Sequence, residues 1–153
     1  NYQKIIDELQ AVGGLWEDPE FPPEPSSLTY EDRSIKPNAR KYYELHEKAF
    51  FLTDGVSKSD IIQGELGDCW FWASVVTIAH SRRLMERVIP SGQYIAEKSP
   101  YLGVFRFRFW QFGIWMEILV DDYLPIRNGQ LIYARSEAGN EFWPSLFEKA
   151  FAK

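Results

Sequence analysis

Residues 103–136 read GVFRFRFWQFGIWMEILVDDYLPIRNGQLIYARS. Over GVFRFRFWQ, apolar residues alternate with basic ones, the two-residue period of a strand with one buried face. IWMEILVDD predicts a second strand and GQLIYARS a third. The breaks at Gln111-Phe112-Gly113 and Asn128-Gly129 predict turns, and Asn-Gly between apolar runs is a strong hairpin cue. On either side the period becomes helical. Upstream, residues 69–90 read CWFWASVVTIAHSRRLMERVIP, a long apolar run with a charged tail that Pro90 ends. Ala73, Val76, Ala79, His80, Arg83 and Leu84 follow helical offsets, and Asp68 stands at the N-cap position. Such hydrophobicity predicts one helix buried through the middle of the domain. Downstream, NEFWPSLFEKAFAK (140–153) predicts a helix capped by Asn140, with Pro144 in its first turn. Helix, sheet, helix gives an α+β fold.

Further out, Ile5, Ile6, Leu9 and Val12 predict a short helix over residues 1–12, ended by Gly13-Gly14. WEDPEFPPEPSS then places four of the nine prolines within residues 19–25. That density predicts an extended segment on a surface, ordered by the anchors Trp16 and Phe21. Residues 31–48 are dominated by charges and predict loop with some helix. Across 153 residues the aromatic share is 16%, with 11 Phe, 8 Tyr and 6 Trp, which excludes disorder as a description of the whole chain. A net charge of -5 argues against a nucleic-acid binder. One cysteine makes neither an internal disulfide nor a thiolate cluster for zinc. Its lone use fits a reducing compartment. No apolar run approaches the length of a transmembrane span, and NYQKIIDELQ has no signal-peptide character. The expectation is a cytoplasmic protein.

Chemistry centres on Cys69. A lone thiol is ordinarily a buried small hydrophobe. Here it sits in QGELGDCW, where a glycine-rich loop meets a helix N-terminus, and the helix dipole with its unpaired N–H groups favours the nucleophilic thiolate. Gly64 and Gly67 permit positive φ and close backbone approach. Gln63 supplies an amide donor, so that a backbone N–H and an amide beside a thiolate have the composition of an oxyanion hole. Buried hydrophobe and nucleophile both remain open on these residues. A base is lacking: His80 is eleven residues along the same helix, about 16 Å away by helical rise. His46, in YYELHEKAF, reads as a solvated surface residue. Asp121-Asp122 reads as a solvated strand end, its side chains on opposite faces.

QGELGDCWFWAS resembles the catalytic-cysteine motif of the calpains, calcium-dependent papain-like cysteine proteases. LWEDPEFPPEPSSL resembles the segment ahead of the protease core, and residues 105–136 and 140–153 resemble the strands and helix that follow the cysteine. The resemblance implies a papain-like half-domain: a buried central helix carrying the Cys, with a small antiparallel sheet. It divides the chain into an N-terminal extension, residues 1–40, and a Cys-bearing core half, residues 41–153. Calpain cores have a second half bearing the catalytic His and Asn, which this chain lacks. The resemblance makes Cys69 the nucleophile and Gln63 the oxyanion-hole glutamine. It implies a Ca2+ site with side-chain ligands Asp60 and Glu141 and carbonyl ligands Thr53 and Gly55, in keeping with the hard oxygen donors calcium takes. Without it, Asp60 reads as a turn residue and Glu141 as a first-turn helix acid. Phe71, Trp72 and Ser74 depart from the smaller or aliphatic residues of the family. Lys58 stands where a family arginine bridges to the second half, and it lacks the planar fork. The implied function is endoproteolysis of intracellular proteins through an acyl-thioester at Cys69, silent until the second half is present. The partners are then protein substrates and that second half. The alternative is a non-catalytic calpain-like interaction or regulatory module.

Overall fold

A computed structural model describes residues 2–28, 36–37, 45, 50–52, 61–93 and 101–153. Among them the chain forms helix α1 (Tyr2–Val12), a 3-10 turn (Pro25–Ser27), strands β1 (Lys36–Pro37) and β2 (Ile61–Ile62), and helices α2 (Cys69–Ala79) and α3 (Arg82–Val88). Strands β3 (Val104–Gln111), β4 (Ile114–Asp121), β5 (Pro125–Arg127), β6 (Gln130–Leu131) and β7 (Arg135–Ser136) follow, then helix α4 (Trp143–Ala152). Helices and small antiparallel sheets alternate, as the α+β reading expects.

The β3–β4 hairpin is the longest pairing, running from Val104↔Asp121 to Gln111↔Ile114. Phe112 and Gly113 close it at φ 50 and 82, left-handed at both positions, as a two-residue turn between twisted strands requires. Asn128 and Gly129 do the same between β5 and β6, at φ 53 and 76. The expected third strand is two: β6 joins β1 and β5, while β7 pairs with β2.

The hairpin's inner face carries Phe105, Phe107 and Phe109. Phe109 stacks on Phe147 of α4 at 5.2 Å, and Phe105 on Phe51 at 5.1 Å. Trp143, Phe142 and Leu146 fill the centre, so burial of aromatic area is the main stabilising term. On the outer face, Val104 and Leu119 pack with Tyr2, Ile5, Ile6 and Leu9 of α1, and the Arg106 guanidinium lies 4.4 Å above the Tyr2 ring.

The predicted single helix over 69–90 is two helices. Ser81 breaks it: its hydroxyl accepts the Leu84 N–H and caps α3, while its own N–H bonds Ile78 O. Nor is α2 buried all round; it buries Phe71, Trp72 and Val75 and leaves Cys69, Trp70, Ala73, Ser74 and Thr77 exposed. Asn140 does not cap α4. Its carbonyl accepts the Phe50 N–H in a parallel bridge between Phe50 and Glu141, and the helix starts after Phe142. Glu141 therefore precedes the helix rather than lying in its first turn.

The proline-rich segment is ordered, as expected. Trp16 N–H donates to Leu102 O at 2.8 Å, Asp18 N–H donates to Asp121 Oδ2 at 2.8 Å, and Lys153 Nζ donates to Asp18 Oδ2 at 2.8 Å. These contacts overturn the expectation for Asp121-Asp122: both are fully buried. Asp121 also accepts the Tyr123 N–H and an ion pair from Lys149. Asp122 accepts the Tyr101 hydroxyl, and burial pushes its carboxyl up to about 6.

Candidate active site

The loop before α2 is seated rather than free. A methyl group at Gly64 would lie 2.3 Å from Tyr133 Cα, so glycine is demanded by contact with backbone. Neither Gly64 nor Gly67 adopts positive φ; the close approach is to Tyr133, and Gly67 faces open space. Glu65 N–H donates to Ile132 O at 3.0 Å, and its carboxylate pairs with Arg127. The loop is thus fixed to the β6–β7 segment, and it delivers Cys69 as the exposed first residue of α2. Residues at this end of a helix keep N–H groups without intrahelical acceptors, a ready site for developing negative charge.

Asp68 occupies the N-cap position, yet its carboxylate makes no capping bond. Its carbonyl accepts the Phe71 and Trp72 N–H groups, and its Oδ1 accepts Gln63 Nε2 at 3.3 Å. Gln63 Nε2 also donates to Leu66 O at 2.7 Å. The amide expected at an oxyanion therefore lies against its own loop, where it braces the turn into α2.

Beside Cys69, half-buried Asp68 meets a buried acid, Glu148, that the sequence reading missed. Glu148 accepts Trp72 Nε1 at 3.3 Å and Ala134 N–H at 2.9 Å. Burial first, then contact with the Asp68 carboxylate, raises Glu148 to about 8. Asp68 Oδ2 is buried and receives no N–H or hydroxyl donor. In α4, Trp143–Glu148 are all buried, so this acid has no solvated face. Phe71 and Trp72 clamp α2 to α4, with Phe71 5.4 Å from Phe147.

His80 is exposed at the far end of α2, as its spacing implied. His46, Lys58, Thr53, Gly55 and Asp60 lie outside the described residues. Glu141 is described and buried. Phe50 bridges to Glu141 and Ile61 pairs with Ser136. Among the described residues, no group of three or more His, Cys, Asp or Glu could hold a metal, and no helix is long and apolar enough to cross a membrane. An apolar pocket of about 120 Å³ lies under the proline-rich segment, walled by Phe21, Pro23, Leu66, Tyr133 and Glu148; Cys69 is not among its walls.

Comparisons with known proteins agree on one family for this chain. The sequence matches a family model described as calpain family cysteine protease over residues 16–153. It is 41% identical over 161 residues to the calpain-1 catalytic subunit of Homo sapiens and 43% identical to calpain-8 of the same species. To calpain-A of Drosophila melanogaster it is 42% identical over 156 residues. Each match takes in 100% of this chain but only 22%, 22% and 18% of the respective relative, so the chain spans about a fifth of their length. The chain belongs to the calpain family of cysteine proteases.

Proposed function

We propose that this chain is the cysteine-bearing half of a calcium-dependent, papain-like cysteine endopeptidase. Residues 1–40 form an extension and residues 41–153 the core half. The observation that carries the reading is Cys69 exposed at the first residue of α2, on a loop fixed by Gly64. The thiolate attacks a substrate carbonyl, and the Cys69 N–H with the Gln63 amide, swung off Leu66 O, stabilises the oxyanion. Collapse expels the amine as a thioester forms, and water then hydrolyses it. Proton transfer needs an imidazole, and His80, the histidine among the described residues, is at the wrong end of the helix; in this reading a second half supplies His and Asn. Protein substrates in a cytoplasmic setting follow from the same reading. Fluorogenic peptide turnover should be absent from the 153-residue chain and appear when a calpain-type second half is joined to it. It should vanish again in Cys69→Ala. A joined chain that folds yet stays silent with Cys69 intact would favour the non-catalytic module instead.

Calcium fits the residues present. Thr53 and Gly55 would offer carbonyl oxygens and Asp60 and Glu141 carboxylates, the hard donors calcium takes, and Glu141 is buried where it pairs with Phe50. The ion would supply charge that joins segment 53–60 to the start of α4, and two carboxylates make only a modest ligand set. Calcium at a hundredfold excess over Kd should raise stability by about 2.7 kcal/mol. Thermal melts with calcium and with chelator measure this, and Asp60→Ala or Glu141→Gln should abolish the shift. A shift that both variants keep would place the ion elsewhere.

A further inference from the structure

The outer end of the β3–β4 hairpin takes no part in this chemistry. Trp110, Phe112, Ile114, Trp115 and Met116 are all exposed there, Phe112 at 99%. Apolar groups occupy both faces. Trp110 and Trp115 meet edge to face at 5.4 Å on the side that α1 covers further in, while Ile114 and Met116 share the side of Phe109. Phe112 itself has φ 50, a conformation that costs a bulky residue energy and that Asn or Gly would adopt more readily. It thus meets neither a packing need nor a turn need.

Cations stand beside this end. The Arg87 guanidinium of α3 lies 5.6 Å from the centre of the Trp115 ring. Arg83, exposed one turn earlier, shares that helix face. Tryptophan and phenylalanine favour the boundary between headgroups and acyl chains, and arginine favours lipid phosphate.

We propose that residues 110–116 insert into the interfacial layer of an anionic lipid bilayer, with Arg83 and Arg87 against the lipid phosphates. The chain's overall negative charge makes this contact local, through the hairpin end and α3, rather than a general attraction.

Co-sedimentation of the 153-residue chain with vesicles of about three parts phosphatidylcholine to one part phosphatidylserine tests it, beside pure phosphatidylcholine vesicles. The chain should bind the mixed vesicles more tightly, and added salt should weaken binding. Phe112→Asp should lower vesicle affinity at least about tenfold with an unchanged melting midpoint. Arg83→Glu and Arg87→Glu should each lower it roughly fivefold and together erase the preference for phosphatidylserine. The proposal is overturned if the chain stays in the supernatant with both vesicles, or if Phe112→Asp binds as the parent does. Equal binding to both vesicle types, unmoved by the arginine substitutions, overturns it too. Self-association that Phe112→Asp abolishes, without vesicle binding, would make the hairpin end a contact between copies and equally overturn it.

Discussion

Lys149→Met should lower the unfolding free energy by about 3–5 kcal/mol, because it leaves the buried Asp121 carboxylate without its countercharge. Lys149 Nζ pairs with Asp121 Oδ1 and donates to Tyr123 O at 2.8 Å, with the lysine side chain 9% exposed and the aspartate fully buried. Burial pulls the ammonium's pKa down and Asp121 opposes that, so the two charges are held by each other. Two N–H groups, from Asp18 and Tyr123, would remain on Asp121, and they do not neutralise it. Urea titration reads the loss directly, and the thermal midpoint should fall by roughly 10 °C. The double variant Asp121→Asn with Lys149→Met should recover much of the deficit, since both charges are then gone. Additive losses in the double variant would show that the pair is not coupled.

The second large effect is a pH dependence set by Glu148. Its folded pKa, about 8, is above the ordinary 4.5. The folded chain therefore keeps a proton that the unfolded chain releases, and stability falls as pH rises between those values. The contribution is complete below 4.5 and lost once pH passes through 8. The slope reaches at most about 1.4 kcal/mol per pH unit, and the whole is on the order of a few kcal/mol. Asp122, raised to about 6, acts with the same sign but is exhausted sooner, so Glu148 alone dominates from pH 6 to 8. Glu148→Gln should flatten denaturation midpoints across that window. It retains a donor toward Asp68 and loses one acceptor for Trp72 or Ala134, so it should also be less stable at pH 6. Parallel slopes in parent and variant would mean that the proton resides elsewhere.

How much of this was legible in the sequence depended on distance along the chain. The hairpin, both left-handed turns, α1 and the start of α2 at Cys69 are local patterns, and their periods and turn residues announce them. The break at Ser81 was legible too, as a serine three residues ahead of the N–H it caps, but the apolar run obscured it. The burial of Asp121 and Asp122 was not legible, because their partners come from Asp18, Tyr101 and Lys149, and Asp18 is in turn held by Lys153. Asn140 gave no cap because Phe50, from the far half of the chain, takes its carbonyl. In the candidate site, position made Cys69 a candidate but left buried hydrophobe and nucleophile both open. The Asp68–Glu148 contact could not be found there, since it joins the loop before α2 to a distant helix, α4.

The two-residue closure of the β3–β4 hairpin also bears on the order of assembly. Its strands meet at almost no loop-closure cost, and hairpins of this kind form within about 1–10 μs. The pairings Phe50↔Glu141 and Ile61↔Ser136 join residues from opposite halves of the chain and must be reached by a slow search. The ladder can thus stand as a ready floor of Phe105, Phe107 and Phe109 before α4 arrives. Changes on that floor then act on the rate of folding. Changes at Lys149 or Glu148, whose partners come late, act on the rate at which the finished molecule comes apart.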